Sequence, residues 1–201
     1  MPLRATAKTL TAQRTARDPA AAVISMLRGV NVGGHNMIGM EALREAYEDL
    51  GLRNSQTYVQ SGNVVFTTTE RDLTALAARI EDSLEQKFGF RPGVVLRTAE
   101  EMRDVIERNP FAGRKDIHPG KFVVTFLRAM PAAEMREAVL QIKPSPEELR
   151  LDGRELYIYF PDGQGRSKLV PVLDKVLKKS GTARNWNTVT TLLEMAEKLP
   201  K

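Results

Sequence analysis

The chain has 201 residues, a formal net charge of +5 and no cysteine. Disulfides, thiol nucleophiles and cysteine-ligated metal centres are therefore excluded, and no apolar run approaches the roughly 20 residues of a membrane span. Four basic residues lie in the first 20 positions, so the charge does not by itself indicate a nucleic-acid-binding face. We predict a disordered basic tail over 1–20 and a cytoplasmic protein that has no membrane partner.

The segment from Ala22 to Met40 predicts a buried strand, a glycine-rich loop and the start of a helix. Ala22 to Leu27 is apolar without alternation, which is typical of a strand covered on both faces. From Met40 the apolar residues recur at helical spacing up to Leu50. The loop lacks the lysine and hydroxyl residue that follow the glycines of a P-loop, which disfavours a nucleoside-triphosphate site.

Further elements complete a β-α-β-β-α-β order followed by an added helix. In this first half we predict strands over 53–60, 64–67 and 92–97 and helices over 73–88 and 98–109. Thr98 and Glu101 are spaced as a capping box at the start of the added helix. Several strands are apolar at successive positions, so their second face must be covered, either by the other half of the chain or by a homodimer.

The same order recurs after a polar link. The second half predicts a strand over 121–128, a helix over 131–142, a hairpin over 149–160, a helix over 167–179, a short strand over 182–185 and a helix over 187–199. Residues 24–28 align with 124–128, and Arg97-Thr98 aligns with Asn187-Thr188. We therefore predict an α+β fold made by tandem duplication of ferredoxin-like (βαββαβ) units, each with an added helix. The predicted domains are 21–110 and 121–201, joined by a linker over 111–120.

Three segments carry most of the polar residues that could form a site: Leu-Arg-Gly-Val-Asn-Val-Gly-Gly at 27–34, Tyr-Val-Gln-Ser-Gly-Asn-Val-Val-Phe at 58–66 and Thr-Ala-Arg-Asn-Trp-Asn-Thr at 182–188. In this order and spacing they resemble a bacterial family known only as domain-of-unknown-function family 1697. The resemblance covers 22–199. It implies a duplicated ferredoxin-like α+β architecture and brings no known activity, substrate or cofactor.

The polar residues of the three segments suit binding of a phosphate, a carboxylate or a base edge. They include no obvious general acid or base with a pKa of about 7. The predicted ligand-binding residues are Arg28, Asn31, Gly33, Gly34, Gln60, Ser61, Asn63, Arg184, Asn185 and Trp186. The structural alternative is about equally supported. In that case the asparagines and glycines would form turns, Arg28 would pair with a helix carboxylate, and Trp186 would pack in the core. For a second glycine-rich loop, over 163–168, we predict either a helix start that favours anion binding or a flexible loop.

The sequence is compatible with three functions. The preferred hypothesis is a binding protein for an anionic small molecule, a nucleotide or RNA. The first alternative is an enzyme for a phosphorylated or carboxylated substrate, with Arg28 and Arg184 as clamps and Ser61 or His35 acting chemically. The second is a homo-oligomeric interaction module. The two histidines are far apart in the sequence, so no metal site is predicted, and no cofactor is either. Alanine at Arg28 or Arg184 should remove binding if these residues hold a ligand, and should lower the melting temperature if they are structural.

Overall fold

The computed structural model describes residues 19–200, so nearly all of the predicted tail over 1–20 lies outside the described residues. The first unit consists of β1 (Ala21–Arg28), α1 (Met40–Asp49), β2 (Arg53–Tyr58), β3 (Asn63–Thr68), α2 (Leu73–Phe88), β4 (Gly93–Thr98) and α3 (Ala99–Glu107). The second unit consists of β5 (Phe122–Leu127), α4 (Ala133–Leu140), β6 (Glu148–Asp152), β7 (Glu155–Tyr159), α5 (Leu169–Leu177), β8 (Gly181–Asn185) and α6 (Trp186–Glu197). Single 3-10 turns at Pro119–Lys121 and Gln164–Arg166 precede β5 and α5.

Each unit forms one four-stranded antiparallel sheet, and the two strand orders are equivalent. The first sheet has the order β2-β3-β1-β4 and the second has the order β6-β7-β5-β8. In each sheet the first strand of the unit lies between the third and the fourth. The protein is therefore an α+β protein with two four-stranded antiparallel sheets.

Alternate residues of the inner strands β1, β3, β5 and β7 face two different cores, as strand geometry requires. On the outer face of the first sheet, Val23 and Phe66 pack with α1 and α2. On the outer face of the second sheet, Val123 and Ile158 pack with α5. The inner faces of both sheets enter one shared core. The second face of the predicted strands is thus covered by the other unit of the same chain.

The helices that end the two units lie in this shared core and connect the units. α6, from the second unit, packs on β1 and β3 of the first. α3, from the first unit, contacts the second sheet, where the hydroxyl group of Tyr157 donates a hydrogen bond of 2.9 Å to the carbonyl oxygen of Val105. Arg103 on α3 and Glu197 on α6 form an ion pair of 2.6 Å. Each added helix is therefore shared between the units.

The strand register corrects one predicted alignment. Arg97 lies opposite Ile24 in the first sheet, and Arg184 lies opposite Val124 in the second. Arg97 therefore corresponds to Arg184, and its predicted alignment with Asn187 is wrong by three residues. β8 has five residues, one fewer than β4, so matching by letters had few positions to fix the alignment.

Local backbone structure sets where α3 begins and where α5 ends. The predicted capping box of α3 is confirmed, since the Thr98 hydroxyl accepts from the backbone of Glu101 and the Glu101 carboxylate accepts from the backbone of Thr98. The helix predicted over 167–179 is shorter than expected. Lys178 takes a left-handed backbone conformation, with φ of 47°, and this ends α5 at Leu177.

Candidate functional site

The three polar segments meet around the side chain of Arg184. Arg184 lies on β8 and is 7% exposed. Its Nη2 donates to the carbonyl oxygens of Leu27 at 2.7 Å and Ser61 at 3.0 Å, and its Nε donates to Asn63 Oδ1. Residues of the segments at 27–34, 58–66 and 182–188 therefore lie close together in space.

The hydrogen bonds of Arg184 are all internal. Its Nη1 donates to Thr182 Oγ1 at 2.8 Å and to the carbonyl oxygen of Ala183 at 2.7 Å, so all three guanidinium nitrogens are occupied. Its acceptors are neutral, and burial lowers the pKa of Arg184 to about 10. The side chain therefore ties the second unit to two turns of the first and has no donor left for a ligand.

Two asparagines of the segments are also used within the protein. Asn31 Nδ2 donates to the carbonyl oxygen of Gln60 at 2.8 Å, and Asn31 Oδ1 accepts from the backbone of Ile38 at 2.8 Å. These bonds close the glycine-rich loop and fasten it to the β2–β3 turn. Asn63 Nδ2 donates to the carbonyl oxygen of Tyr58 at 2.9 Å within that turn. Both asparagines thus have structural partners.

The start of α6 accounts for two further candidate residues. Asn185 is the N-cap, and its Oδ1 accepts from the backbone of Thr188 at 2.9 Å, which leaves its amide group as a free donor. The Trp186 ring stacks on Phe122 with a centroid separation of 4.6 Å. The indole therefore fastens the start of α6 to β5 in the shared core.

The remaining candidates in the first unit lie at the surface. Gly33, Gly34, Gln60 and Ser61 are exposed. Ser61 Oγ accepts from Asn63 Nδ2 at 3.0 Å. Among residues 19–200 no hydrogen bond joins Ser61 to His35 or to any carboxylate, so no base is placed to activate this hydroxyl.

Arg28 differs from the other candidates because its guanidinium group forms no hydrogen bond or ion pair with any residue of the described range 19–200. Arg128 occupies the equivalent place after β5 and has an ion-pair partner. It pairs with Glu81 on α2, whose side chain is 5% exposed, and it donates to the carbonyl oxygen of Val94. Glu81 and Val170 each lie seven residues before the last residue of their helices. Val170 lines the same cavity as Arg28, and so does the carboxylate of Asp174, although it forms no ion pair with Arg28 within residues 19–200.

A cavity of about 140 Å³ lies beside Arg28, between α5 and the outer face of the second sheet. Gly181 and Ala183 form part of its wall, at the register positions that Val94 and Leu96 occupy in the first sheet. On β4, Val94 and Leu96 also line a cavity, of about 350 Å³, beside Arg128. Gly181 is required there, since a Cβ atom would lie 2.6 Å from the carbonyl oxygen of Phe126.

The polar lining of this cavity contains two cationic residues, one acidic residue and three uncharged ones. Arg28 and Lys179 line it with Gln164, and Asp174 is the acidic residue of the lining. Sequence reasoning selected Arg28 but missed Gln164, Val170 and Lys179. Gln164 lies in the glycine-rich loop over 163–168, which was the available signal for this region. The prediction that the ten candidate residues bind a ligand stays a prediction, and the structure gives internal partners to six of their side chains, those of Asn31, Ser61, Asn63, Arg184, Asn185 and Trp186.

Two classes of site are not seen in the described part of the chain. No group of three or more histidine or acidic residues is placed to hold a metal ion among residues 19–200. The helices within the same range are all too short or too polar to cross a membrane.

The fold and the site define an α+β protein of two sheets that has a partner-free arginine at a small cavity. The chain belongs to the family described as Protein of unknown function (DUF1697), whose profile matches residues 21–157. The structure of the conserved bacterial protein SP0830 from Streptococcus pneumoniae is similar, with a TM-score of 0.71 and 21% sequence identity. The match covers 89% of this chain and 99% of that one, and it establishes likeness of fold. No curated protein matches the chain.

Proposed function

We propose that the protein binds a small anion, through a carboxylate or phosphate group, in the cavity beside Arg28. The observation that carries the proposal is the contrast between two equivalent arginines. Arg128 is paired with Glu81, whereas Arg28 has no ion-pair partner among residues 19–200 and shares its cavity with Val170 and Asp174. A guanidinium group beside a partly enclosed cavity has donors in the fork geometry that carboxylates and phosphates accept.

The size of the cavity limits what can enter it. Pockets for drug-sized ligands usually measure about 300–1,000 Å³. The cavity beside Arg28 measures about 140 Å³, which suits one anionic group and a short stem better than a whole nucleotide. The inner faces of both sheets form the shared core and helices pack on most of each outer face, so no open sheet face of the kind that binds RNA in some related architectures is present among residues 19–200. These features favour a small molecule over RNA.

Replacing Val170 by glutamate tests the proposal directly. Val170→Glu would give Arg28 the intramolecular partner that Glu81 gives Arg128, and Val170→Gln is the matched neutral control. Binding of acetate and inorganic phosphate would be measured by calorimetry, with the melting temperature of each variant recorded. We expect binding by the unmodified protein and by Val170→Gln, and loss of binding in Val170→Glu and Arg28→Gln. Equal affinity in all four proteins would overturn the proposal.

A second candidate function, a homo-oligomeric interaction module, is favoured by a separate observation. Val32 and Met37 in the glycine-rich loop are 66% and 65% exposed, and Val59 in the adjoining turn is 46% exposed. Val59 also has a φ of 49°, which is rare for a β-branched residue. Light scattering on the unmodified protein and on Val32→Ser tests this candidate. A monomer at every concentration in both would rule it out.

We further infer that the two units are ferredoxin-like units related by tandem duplication, with domains over 21–110 and 121–201 and a linker over 111–120. The equivalent strand orders support this inference, as do the equivalent positions of Arg97 and Arg184 in the two registers. We retain the cytoplasm as the proposed location, because the chain of 201 residues contains no cysteine.

A further inference from the structure

The cavity beside Arg28 continues along β8 into a second cavity of about 150 Å³. The two cavities share four lining residues, Val123, Phe160, Gln164 and Ala183. Together they form one groove on the outer face of β8, termed the β8 groove. The second cavity extends the groove to Lys121 and Asn185, at the far end of the strand.

A cation stands at each end of the β8 groove. Arg28 and Lys179 lie at the end where β8 begins at Gly181, and the carboxylate of Asp174 lines the same cavity. Lys121 lies at the other end, where its Nζ donates to the carbonyl oxygen of Pro161. β8 runs from Gly181 to Asn185, and strand residues advance by about 3.3 Å, so the two ends are about 13 Å apart. One carboxylate or phosphate group cannot contact both ends.

The middle of the β8 groove differs from its ends. Three of the four shared lining residues, Val123, Phe160 and Ala183, are apolar, and Gln164 contributes one uncharged polar side chain. Asn185 adds a donor beside Lys121, because its Oδ1 caps α6 and its amide group is not used there. The groove therefore presents a cationic end, an apolar centre and a second cationic end in sequence.

We infer that the ligand of the β8 groove is an elongated molecule with an anionic group at each end and an apolar middle. This inference rests on the proposed function, since Arg28 would hold one of the two anionic groups. Lys121, with the amide of Asn185, would hold the other. A long α,ω-dicarboxylate has this chemistry and serves as the test ligand.

A length series of dicarboxylates separates this inference from the proposed function. Binding of acetate, succinate, adipate, suberate and sebacate would be measured by calorimetry on the full chain. We expect sebacate to bind about tenfold or more tightly than succinate, since a second charge-assisted hydrogen bond is typically worth at least a decade in affinity. Lys121→Gln should remove this gain and leave acetate binding unchanged. Lys115→Gln, an exposed lysine outside the groove, is the control and should change neither.

Each other outcome has a definite meaning. If all chain lengths bind with equal affinity and Lys121→Gln has no effect, the inference is overturned while anion binding at Arg28 stands. If no carboxylate binds at all, the inference and the proposed function both fail. Because Lys121 is exposed, its replacement should not disturb folding, and an unchanged melting temperature would verify this.

Discussion

Arg97 and Arg184 make equivalent hydrogen bonds in opposite directions between the two units. Arg97 Nη2 donates to the carbonyl oxygen of Leu127 at 2.8 Å, and Arg184 Nη2 donates to that of Leu27 at 2.7 Å. Each Nη1 also donates to the carbonyl oxygen of the preceding residue in its own strand. Two buried guanidinium groups thus fasten the last strand of each unit to the first strand of the other.

The Nε partners of these two arginines differ in charge. Arg97 Nε donates to the carboxylate of Glu155 at 3.0 Å, and Arg184 Nε donates to the amide oxygen of Asn63. Glu155 and Asn63 occupy equivalent register positions, opposite the central strand of their sheets. Burial lowers the pKa of Arg97 and Glu155 acts in the opposite direction, whereas Arg184 has no such partner. Of the two equivalent buried arginines, Arg97 therefore has an acidic partner and Arg184 has only neutral partners.

Replacing Glu155 by glutamine should destabilise the protein by about 3 kcal/mol, because it leaves the buried charge of Arg97 without compensation. The side chains of Arg97 and Glu155 are 1% and 4% exposed, so water cannot replace the carboxylate. Urea unfolding gives the free energy of unfolding. Glu148→Gln is the control, since its partner Arg114 is at the surface and its loss should change stability by less than about 1 kcal/mol. Equal effects of the two substitutions would contradict the prediction.

Alanine at Arg184 and alanine at Arg28 should have opposite consequences. Arg184→Ala removes a donor from the carbonyl groups of Leu27 and Ser61 and leaves Asn63 Oδ1 without its guanidinium partner, and it should lower the free energy of unfolding by about 3 kcal/mol or more. Arg28→Ala removes a side chain without a described partner and should change stability by less than about 0.5 kcal/mol, while abolishing anion binding. Thermal melts and calorimetry on both variants decide this. A stable Arg184→Ala protein would show that the hydrogen bonds of Arg184 are not needed for folding.

The order of elements could be predicted from the sequence because local signals agree along most of the chain. α2 shows helical spacing from Leu73 to Phe88, and the capping box at Thr98 fixes the start of α3. The weakest predictions fell where the signal is short. Letter matching at Arg97 failed because a strand of five residues, β8, offers too few positions to fix an alignment without its hydrogen-bonded neighbours.

The candidate site was only partly predictable, because its chemistry depends on residues distant in sequence. Arg28 and Arg128 each follow a leucine at the end of the first strand of their unit, so their local sequences look alike. Their difference is set by Glu81 and Val170, which only the packing of α2 and α5 brings beside them. The sequence likewise predicts Arg184 as a ligand clamp, because nothing in its own segment reveals that carbonyl groups of the first unit accept from its guanidinium group.

The alkaline limit of stability should depend on Tyr47 and Tyr157. Burial raises the pKa of both phenols above the usual value of about 10. The unfolded chain releases these protons above pH 10 while the folded chain retains them. Their contribution to stability is therefore complete below about pH 10 and is lost as the pH rises toward the folded-state pKa.

Tyr47→Phe should make this loss less steep. Above about pH 10, removing one such phenol should reduce the decline in the free energy of unfolding by about 1.4 kcal/mol per pH unit. Urea unfolding at several pH values measures the slope for both proteins. The slope is the readout because loss of the 2.7 Å hydrogen bond between Tyr47 and Ser25 lowers stability at every pH equally. Parallel curves would contradict the prediction.

Two glycines of the polar segments provide a matched test of how tightly the glycine-rich loop and the β2–β3 turn pack. Gly62 and Gly33 both have positive φ, of 73° and 59°, so alanine at either should cost about 1 kcal/mol through backbone strain. At Gly62 a Cβ atom would also lie 2.5 Å from Val30 Cγ2 and 3.0 Å from Leu27 Cβ, whereas at Gly33 nothing lies within 4 Å. Gly62→Ala should therefore cost about 1–3 kcal/mol more than Gly33→Ala. Chemical denaturation of both variants measures the difference, and equal losses would mean that the turn can move away from the loop.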